Sequence, residues 1–136
     1  MESPGTTDYM LLMRGSDWGH SLSPREAQEG LETMMAWVED LRRRGILFAG
    51  QPLASTGSII SAKADSITDG PFVETKEAVG GYLMFRTTSL EEAENYAKQC
   101  PVLKYGLVIE LRPMIGQCPM ADEFGLDYTA LSASAG

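Results

Sequence analysis

One carboxylate and one imidazole are the side chains of this chain best suited to moving a proton. Asp69 stands directly before Gly70 and Pro71, and at the edge of a cleft it could act as a general base if burial raised its pKa. An aspartate before glycine also caps a turn through its own side chain, so both roles are open. His20 is the sole histidine, so any acid–base role of an imidazole falls on it, although a histidine in a glycine-rich loop usually faces solvent.

Charged side chains beyond this turn and at two strand ends could bind an anion. Lys76 could hold a carboxylate or an enolate while Glu77 moves a proton, or the two could form a surface ion pair. Arg14 and Arg112 could bind one anionic ligand if their strands are neighbours, and pairing with Glu110 or Glu77 is the structural alternative. The residues that we predict to line a ligand site are Arg14, Gly50, Pro71, Phe72, Lys76, Glu77, Tyr82 and Arg112.

The sequence offers no residue set for a metal, a cofactor or a covalent nucleophile. One histidine and two distant cysteines, Cys100 and Cys118, cannot supply a zinc site. No elbow motif positions a serine beside His20, and Gly80-Gly81 lacks the surrounding pattern and the lysine of a phosphate-binding loop. We therefore expect neither a metal nor a cofactor.

Composition and charge limit the partners and the compartment. The chain has 136 residues, enough for one domain with a hydrophobic core, and a net charge of −8 that repels nucleic acid. The basic run at 42–44 indicates a helix end, where cations favour the negative end of the helix dipole. Two distant cysteines fit a reducing compartment, and neither a secretory leader nor a bilayer-spanning apolar run is recognised. We expect a cytoplasmic protein that contacts neither nucleic acid nor membrane.

Periodicity and capping residues predict alternating strands and two helices. Ser23 and Glu26 are typical of a capped helix start, and Gly45 after three arginines is typical of a helix end. The apolar stripe that we predict for this helix is Ala27, Leu31, Met34, Met35, Val38 and Leu41. Ser89 and Glu92 predict a second capped helix. The predicted strands span residues 8–14, 46–49, 59–62, 65–69, 81–87 and 106–112.

The order of these elements predicts an α+β fold of the ferredoxin-like type. Two β-α-β halves form an antiparallel sheet with both helices on one face, and extra short strands lie between the halves. The other sheet face needs cover, because one layer of helices buries only one side. We therefore predict a homodimer that packs sheet against sheet as a dimeric α/β barrel. Around a domain of residues 8–114, we expect 1–7 to be a flexible lead and 115–136 a C-terminal extension or arm.

Several segments resemble a known family. Residues 68–77 read TDGPFVETKE and are followed by Gly-Gly-Tyr at 80–82, which resembles the DGPF family within the broader YCII-related group. Three further segments resemble the corresponding family segments, namely MLLMRG at 10–15, GILFAGQPL at 45–53 and CPVLKYGLVIELRP at 100–113. The resemblance covers most of the predicted domain, which makes it far more specific than a lone tetrapeptide.

The resemblance implies a dimeric α+β barrel and says little about activity. The wider YCII-related group is similar to small dimeric isomerases and includes enzymes that act on ring compounds with a histidine and aspartate pair. Asp69 lies in the signature motif, whereas His20 does not clearly match the histidine of those enzymes. Some DGPF proteins accompany extracytoplasmic-function sigma factors, which implies a regulatory role instead.

Two functions are therefore open. The first is binding of a small anionic or ring-shaped metabolite between the sheet and its dimer partner. It includes cofactor-free proton transfer, isomerisation or elimination, with Asp69 as base and Lys76 or Arg112 stabilising the anion. The second is a non-catalytic regulatory or ligand-sensing module whose acidic surface meets a basic protein such as a sigma factor.

Overall fold

The predicted order of strands and helices is confirmed in the computed structural model, which describes residues 5–15, 17–62, 66–69 and 79–126. The strands are β1 (Thr7–Arg14), β2 (Leu47–Pro52), β3 (Ser58–Ser61), β4 (Ser66–Asp69), β5 (Val79–Thr87) and β6 (Val108–Pro113). The helices are α1 (Pro24–Arg43), α2 (Leu90–Ala97) and α3 (Pro119–Glu123), and a 3-10 turn spans Leu103–Tyr105. The halves β1-α1-β2 and β5-α2-β6 thus enclose the short strands β3 and β4.

Four strands form one antiparallel sheet in the order β2-β5-β1-β6. β1 lies inside the sheet, where Leu11 is opposite Leu83 of β5 on one side and Leu111 of β6 on the other. β3 and β4 pair with each other in a separate two-stranded sheet. This strand order, with central strands from different halves, is the ferredoxin-like arrangement, so the predicted fold class is confirmed.

The first helix begins and ends where its capping residues predict. The Ser23 side chain accepts a hydrogen bond from the Glu26 backbone N–H, and the Glu26 carboxylate accepts one from the Ser23 backbone N–H, both at 3.1 Å. This capping box satisfies two N–H groups that the helix itself leaves unpaired. Gly45 follows the helix with a φ of 77°, a left-handed conformation that favours glycine.

The buried side of α1 differs from the predicted stripe. The buried residues of the helix are Gly30, Trp37 and Leu41. Leu31 and Met35 are 52% and 58% exposed, so the prediction for these two residues is wrong. The physical reason is Trp37, whose ring meets Phe85 of β5 edge to face at a centroid distance of 6.2 Å. A tryptophan buries more apolar area than a leucine or methionine, so its burial decides which way the helix faces.

The hydrophobic core lies between the helices and one face of the sheet. Alternate residues of β1 point into it, namely Tyr9, Leu11 and Met13. Ala93 and Ala97 of α2 are buried in the same core. Cys100 is buried as well, and burial raises the pKa of its thiol. Both α1 and α2 therefore cover the same face of the sheet.

The opposite face of the sheet mixes apolar and charged side chains, and we call it the second face. Its residues on β1, β5 and β6 include Asp8, Met10, Leu12, Arg14, Tyr82, Met84, Arg86, Val108, Glu110 and Arg112. None of them belongs to the buried core. Along β1 the apolar residues lie in the middle of this face and the charged residues at its two ends.

Two short elements near the C-terminal end lack a periodic signal in the sequence. They are the 3-10 turn and α3, which has five residues and is too short to show a helical repeat. Ala121 of α3 is buried, whereas Met120 and Phe124 are exposed. None of the described helices combines the length and the apolar character needed to cross a membrane.

Candidate functional site

Arg14 ends β1 and is the centre of the candidate site. Val108 of β6 and Val79 of β5 lie opposite it in the register. The pairing of β1 with β5 shifts between Met13 and Arg14, and such bulges re-aim side chains next to functional sites. Val79 directly follows residues 70–78, which lie outside the described residues. The first residue of β5 after the signature segment therefore lies beside Arg14.

Arg14, Glu110 and Arg112 form a row of charges on the second face, which we call the arginine row. Arg14 Nη2 donates a hydrogen bond to Glu110 Oε1, and Arg112 Nη1 lies 3.9 Å from Glu110 Oε2. The side chains of Arg14 and Glu110 are 32% and 29% exposed. Two guanidinium groups and one carboxylate leave one net positive charge here, on a chain whose net charge is −8. The row therefore attracts an anion that the chain as a whole repels.

One buried donor of this row has no acceptor among the described residues. The Nε atom of Arg14 is buried and makes no hydrogen bond within the described residues. A buried donor without a partner costs about 1–3 kcal/mol, and a guanidinium fork suits the two oxygens of a carboxylate. Arg14 is therefore the described residue best placed to bind an oxyanion.

Tyr82 shares a face with the arginine row, whereas Gly50 has a packing role. Leu12 is opposite both Glu110 and Tyr82, so Tyr82 lies one strand further from Glu110 on the second face. Gly50 of β2 is opposite Leu83. A Cβ built on Gly50 would lie 2.7 Å from Leu83 Cδ2 and 2.9 Å from the Tyr82 backbone oxygen. The close approach of β2 and β5 thus requires glycine, and a ligand role for Gly50 stays a prediction.

The residues predicted to transfer protons lie in different elements. Asp69 is the last residue of β4 and is opposite Ser58 of β3. His20 is exposed in the turn after β1, where its backbone N–H donates to the Asp17 carbonyl at 2.9 Å. The predicted ligand residues outside the described residues are Pro71, Phe72, Lys76 and Glu77. The catalytic roles of Asp69 and His20 therefore stay predictions.

The loop that follows Arg14 packs on the helical side of the molecule. Trp18 stacks on Tyr105 with a centroid distance of 5.9 Å and an interplanar angle of 14°. A Cβ on Gly30 of α1 would lie 3.0 Å from the Trp18 ring. The missing side chain of Gly30 lets this ring lie directly on the helix, which fixes the loop next to Arg14.

A neutral ion pair occupies the other end of the second face. Arg86 donates from Nε and Nη2 to the Asp8 carboxylate at 2.7 and 3.0 Å, and these hydrogen bonds raise the pKa of Arg86. The Arg86 guanidinium also lies 4.4 Å from the Phe48 ring centroid. Because the charges of this pair cancel, this end of the second face adds no net charge to the arginine row.

Comparison with known proteins gives the chain a family. A family model described as the YCII-related domain matches residues 7–115. The chain belongs to the YCII-related family. The comparison with curated proteins finds no match. Both strand-helix-strand halves and the arginine row lie within the YCII-related domain, and α3 lies beyond its matched range.

Proposed function

We propose that this YCII-related protein binds a small anionic metabolite at the arginine row. The observation that carries the proposal is the unsatisfied, buried Nε of Arg14 within a cluster of net positive charge. Met10 and Leu12 precede Arg14 on the same face and would contact the ring or hydrocarbon part of the ligand. An apolar surface with a few convergent polar groups is the usual composition of a metabolite site.

In this proposal a second copy of the chain packs on the second face and encloses the ligand. Met10, Leu12 and Met84 lie on this face, opposite the buried core. The helices cover only the other face of the sheet, so a second copy packing sheet against sheet would cover these apolar side chains. Light scattering should give twice the chain mass, and a monomer at micromolar concentration would contradict the dimer.

The chemistry that fits this proposal is proton transfer without a cofactor. Asp69 would act as base, with His20 as the one imidazole that can assist, and Lys76 or Arg112 would stabilise the developing anion. Isomerisation or elimination would follow from loss of a proton next to a carboxylate. Proton NMR of a bound carboxylate in deuterated water tests this, because the enzyme should exchange that proton. A ligand that binds but never exchanges would contradict the catalytic part alone.

Replacing Arg14 with glutamine should weaken carboxylate binding about tenfold or more. Hydrogen bonds to charged groups contribute about 1.5–3 kcal/mol, and about 1.4 kcal/mol is tenfold in affinity. Thermal-shift screening of carboxylates against the full chain, followed by calorimetric titration, measures the loss, since a ligand that binds the native state raises its apparent stability. Arg25→Gln removes the same charge from α1, where the Arg25 side chain is 90% exposed on the other side of the sheet, and should change affinity less than about twofold. Equal losses in both variants would point to nonspecific charge attraction.

The second proposal is a regulatory module that binds a basic protein such as a sigma factor. Ile59 and Ile60 are adjacent in β3 and therefore point to opposite faces of the two-stranded sheet, and both are exposed. A two-stranded hairpin is marginal in water by itself, so these residues suit a protein contact, and the net charge of −8 suits a basic one. Titration with a purified sigma factor separates the proposals. Both place the protein in the cytoplasm.

A further inference from the structure

We infer that Glu110 determines which ligand charge the arginine row prefers, so that the row binds a monoanion more tightly than a dianion. The inference rests on the proposed anion binding at Arg14 and specifies its ligand class. From the sequence alone, Glu110 is only a pairing partner for an arginine. Its position between two arginines gives it a role in selection.

The strand register explains why one carboxylate meets both guanidinium groups. Glu110 is opposite Leu12, Arg14 is opposite Val108, and Arg112 is opposite Met10. Glu110 therefore has Arg14 diagonally across the strand pair and Arg112 two residues along its own strand. Diagonal neighbours on one sheet face are within reach of long side chains. Glu110 thus neutralises one positive charge and leaves the second for a ligand.

The charge balance then selects the ligand. A monoanion brings the row from one net positive charge to neutrality. A dianion brings it to one net negative charge beside Arg14 and Glu110, whose side chains are about one-third exposed, whereas Arg112 is 70% exposed. An uncompensated charge in a half-buried site is unfavourable because its solvation is incomplete. The row is therefore matched to ligands with a single carboxylate.

The other charged pair on the described part of the second face leaves this balance unchanged. Asp8 is six residues from Arg14 along β1, about 20 Å at the rise of an extended strand, but it lies diagonally across from Arg112 in the pairing of β1 with β6. Its carboxylate accepts two hydrogen bonds from Arg86, so the two charges cancel. Asp8 and Arg86 together therefore add no net charge next to the arginine row.

The test compares benzoate, a monoanion, with phthalate, a dianion of similar shape, on the full chain at neutral pH. Glu110→Gln removes one negative charge, keeps the length of the side chain and retains an oxygen that accepts from Arg14. We expect the wild-type chain to bind benzoate more tightly than phthalate. In E110Q the affinity for phthalate relative to benzoate should rise about tenfold, as expected for a charge a few ångströms from the ligand. Glu94→Gln makes the same chemical change at an exposed residue of α2, on the other side of the sheet, and should leave that ratio within about twofold.

The outcomes separate this inference from the proposed function. If neither probe binds the wild-type chain, or if Arg14→Gln binds both as well as wild type, the proposed function fails. If Arg14 is needed for binding but E110Q leaves the ratio unchanged, or the wild-type chain prefers phthalate, the inference about Glu110 fails alone. Should E110Q not fold, Arg112→Gln provides the second measurement, since Arg112 is exposed. Its loss lowers the charge of the row, so phthalate binding must fall more than benzoate binding, and an equal fall overturns the inference.

Discussion

Replacing Phe85 with alanine is expected to lower the free energy of unfolding by about 3–5 kcal/mol. Phe85 is fully buried, lies on β5 between Tyr9 of β1 and Leu47 of β2, and meets the Trp37 ring. Its removal leaves a cavity between the sheet and α1, and the surrounding side chains can fill it only partly. Because the free energy of unfolding of a small domain is about 5–15 kcal/mol, this one substitution removes a large part of the stability.

Urea denaturation of the purified wild-type and Phe85→Ala chains measures this change in the free energy of unfolding. Phe124→Ala is the matched control, since the chemical change is the same and Phe124 is 69% exposed. We expect it to stay within about 0.5 kcal/mol of wild type, as surface substitutions usually do. A decrease of less than about 1 kcal/mol in the free energy of unfolding of Phe85→Ala would show that Phe85 is not a central residue of the core.

Replacing Gly50 with alanine is expected to destabilise the fold by about 1–3 kcal/mol. The new Cβ would lie 2.9 Å from the Tyr82 backbone oxygen and 2.7 Å from Leu83 Cδ2. A leucine side chain can rotate away, but the backbone oxygen moves only if β2 shifts against β5. Thermal unfolding followed by circular dichroism should show the lower stability.

A glycine without such contacts provides the control for Gly50. A Cβ on Gly19 would meet only the Ala27 Cβ, at an ordinary 3.7 Å, so Gly19→Ala should not destabilise. Carboxylate affinity separates packing from ligand contact. If Gly50 acts through packing alone, the folded fraction of Gly50→Ala should bind benzoate as wild type does. A lower affinity at unchanged stability would instead support the predicted ligand role of Gly50.

Local signals in the sequence predict the ends of the helices because capping involves residues only a few positions apart. The box at Ser23 and Glu26 is present in full. At the second helix the Ser89 hydroxyl accepts from the Glu92 backbone N–H as predicted. The Glu92 carboxylate accepts instead from the Thr88 backbone N–H at 2.7 Å, and this hydrogen bond lowers the pKa of Glu92. The predicted start of the second helix is therefore confirmed. The Glu92 carboxylate, however, accepts from Thr88, the residue before the N-cap, and not from the N-cap residue Ser89.

Packing across the chain could not be predicted in the same way. Periodicity placed Leu31 and Met35 in the core, but it contains no information about Phe85, the partner that draws Trp37 inward. Both sets of residues lie at helical spacing on α1, and only the tertiary contact chooses between them. α3 is shorter than the repeat that a pattern needs.

Part of the candidate site could be predicted from the sequence. The sequence predicts that Arg14 and Arg112 can bind one anion if their strands are neighbours, with pairing to Glu110 or Glu77 as the alternative. The register of β1 with β6 places both arginines on one face, and Arg14 pairs with Glu110. Only that register, which the sequence does not contain, brings Arg14 to Glu110. The predicted ligand residues Pro71, Phe72, Lys76 and Glu77 lie outside the described residues.

Because Trp18 stacks on Tyr105, its fluorescence can report on the loop after Arg14. The chain has two tryptophans, with Trp37 in the core and Trp18 on the loop after Arg14. In a Trp37→Phe background the indole emission comes from Trp18 alone. Ligand-linked movement beside Arg14 can then be followed in real time without an attached dye.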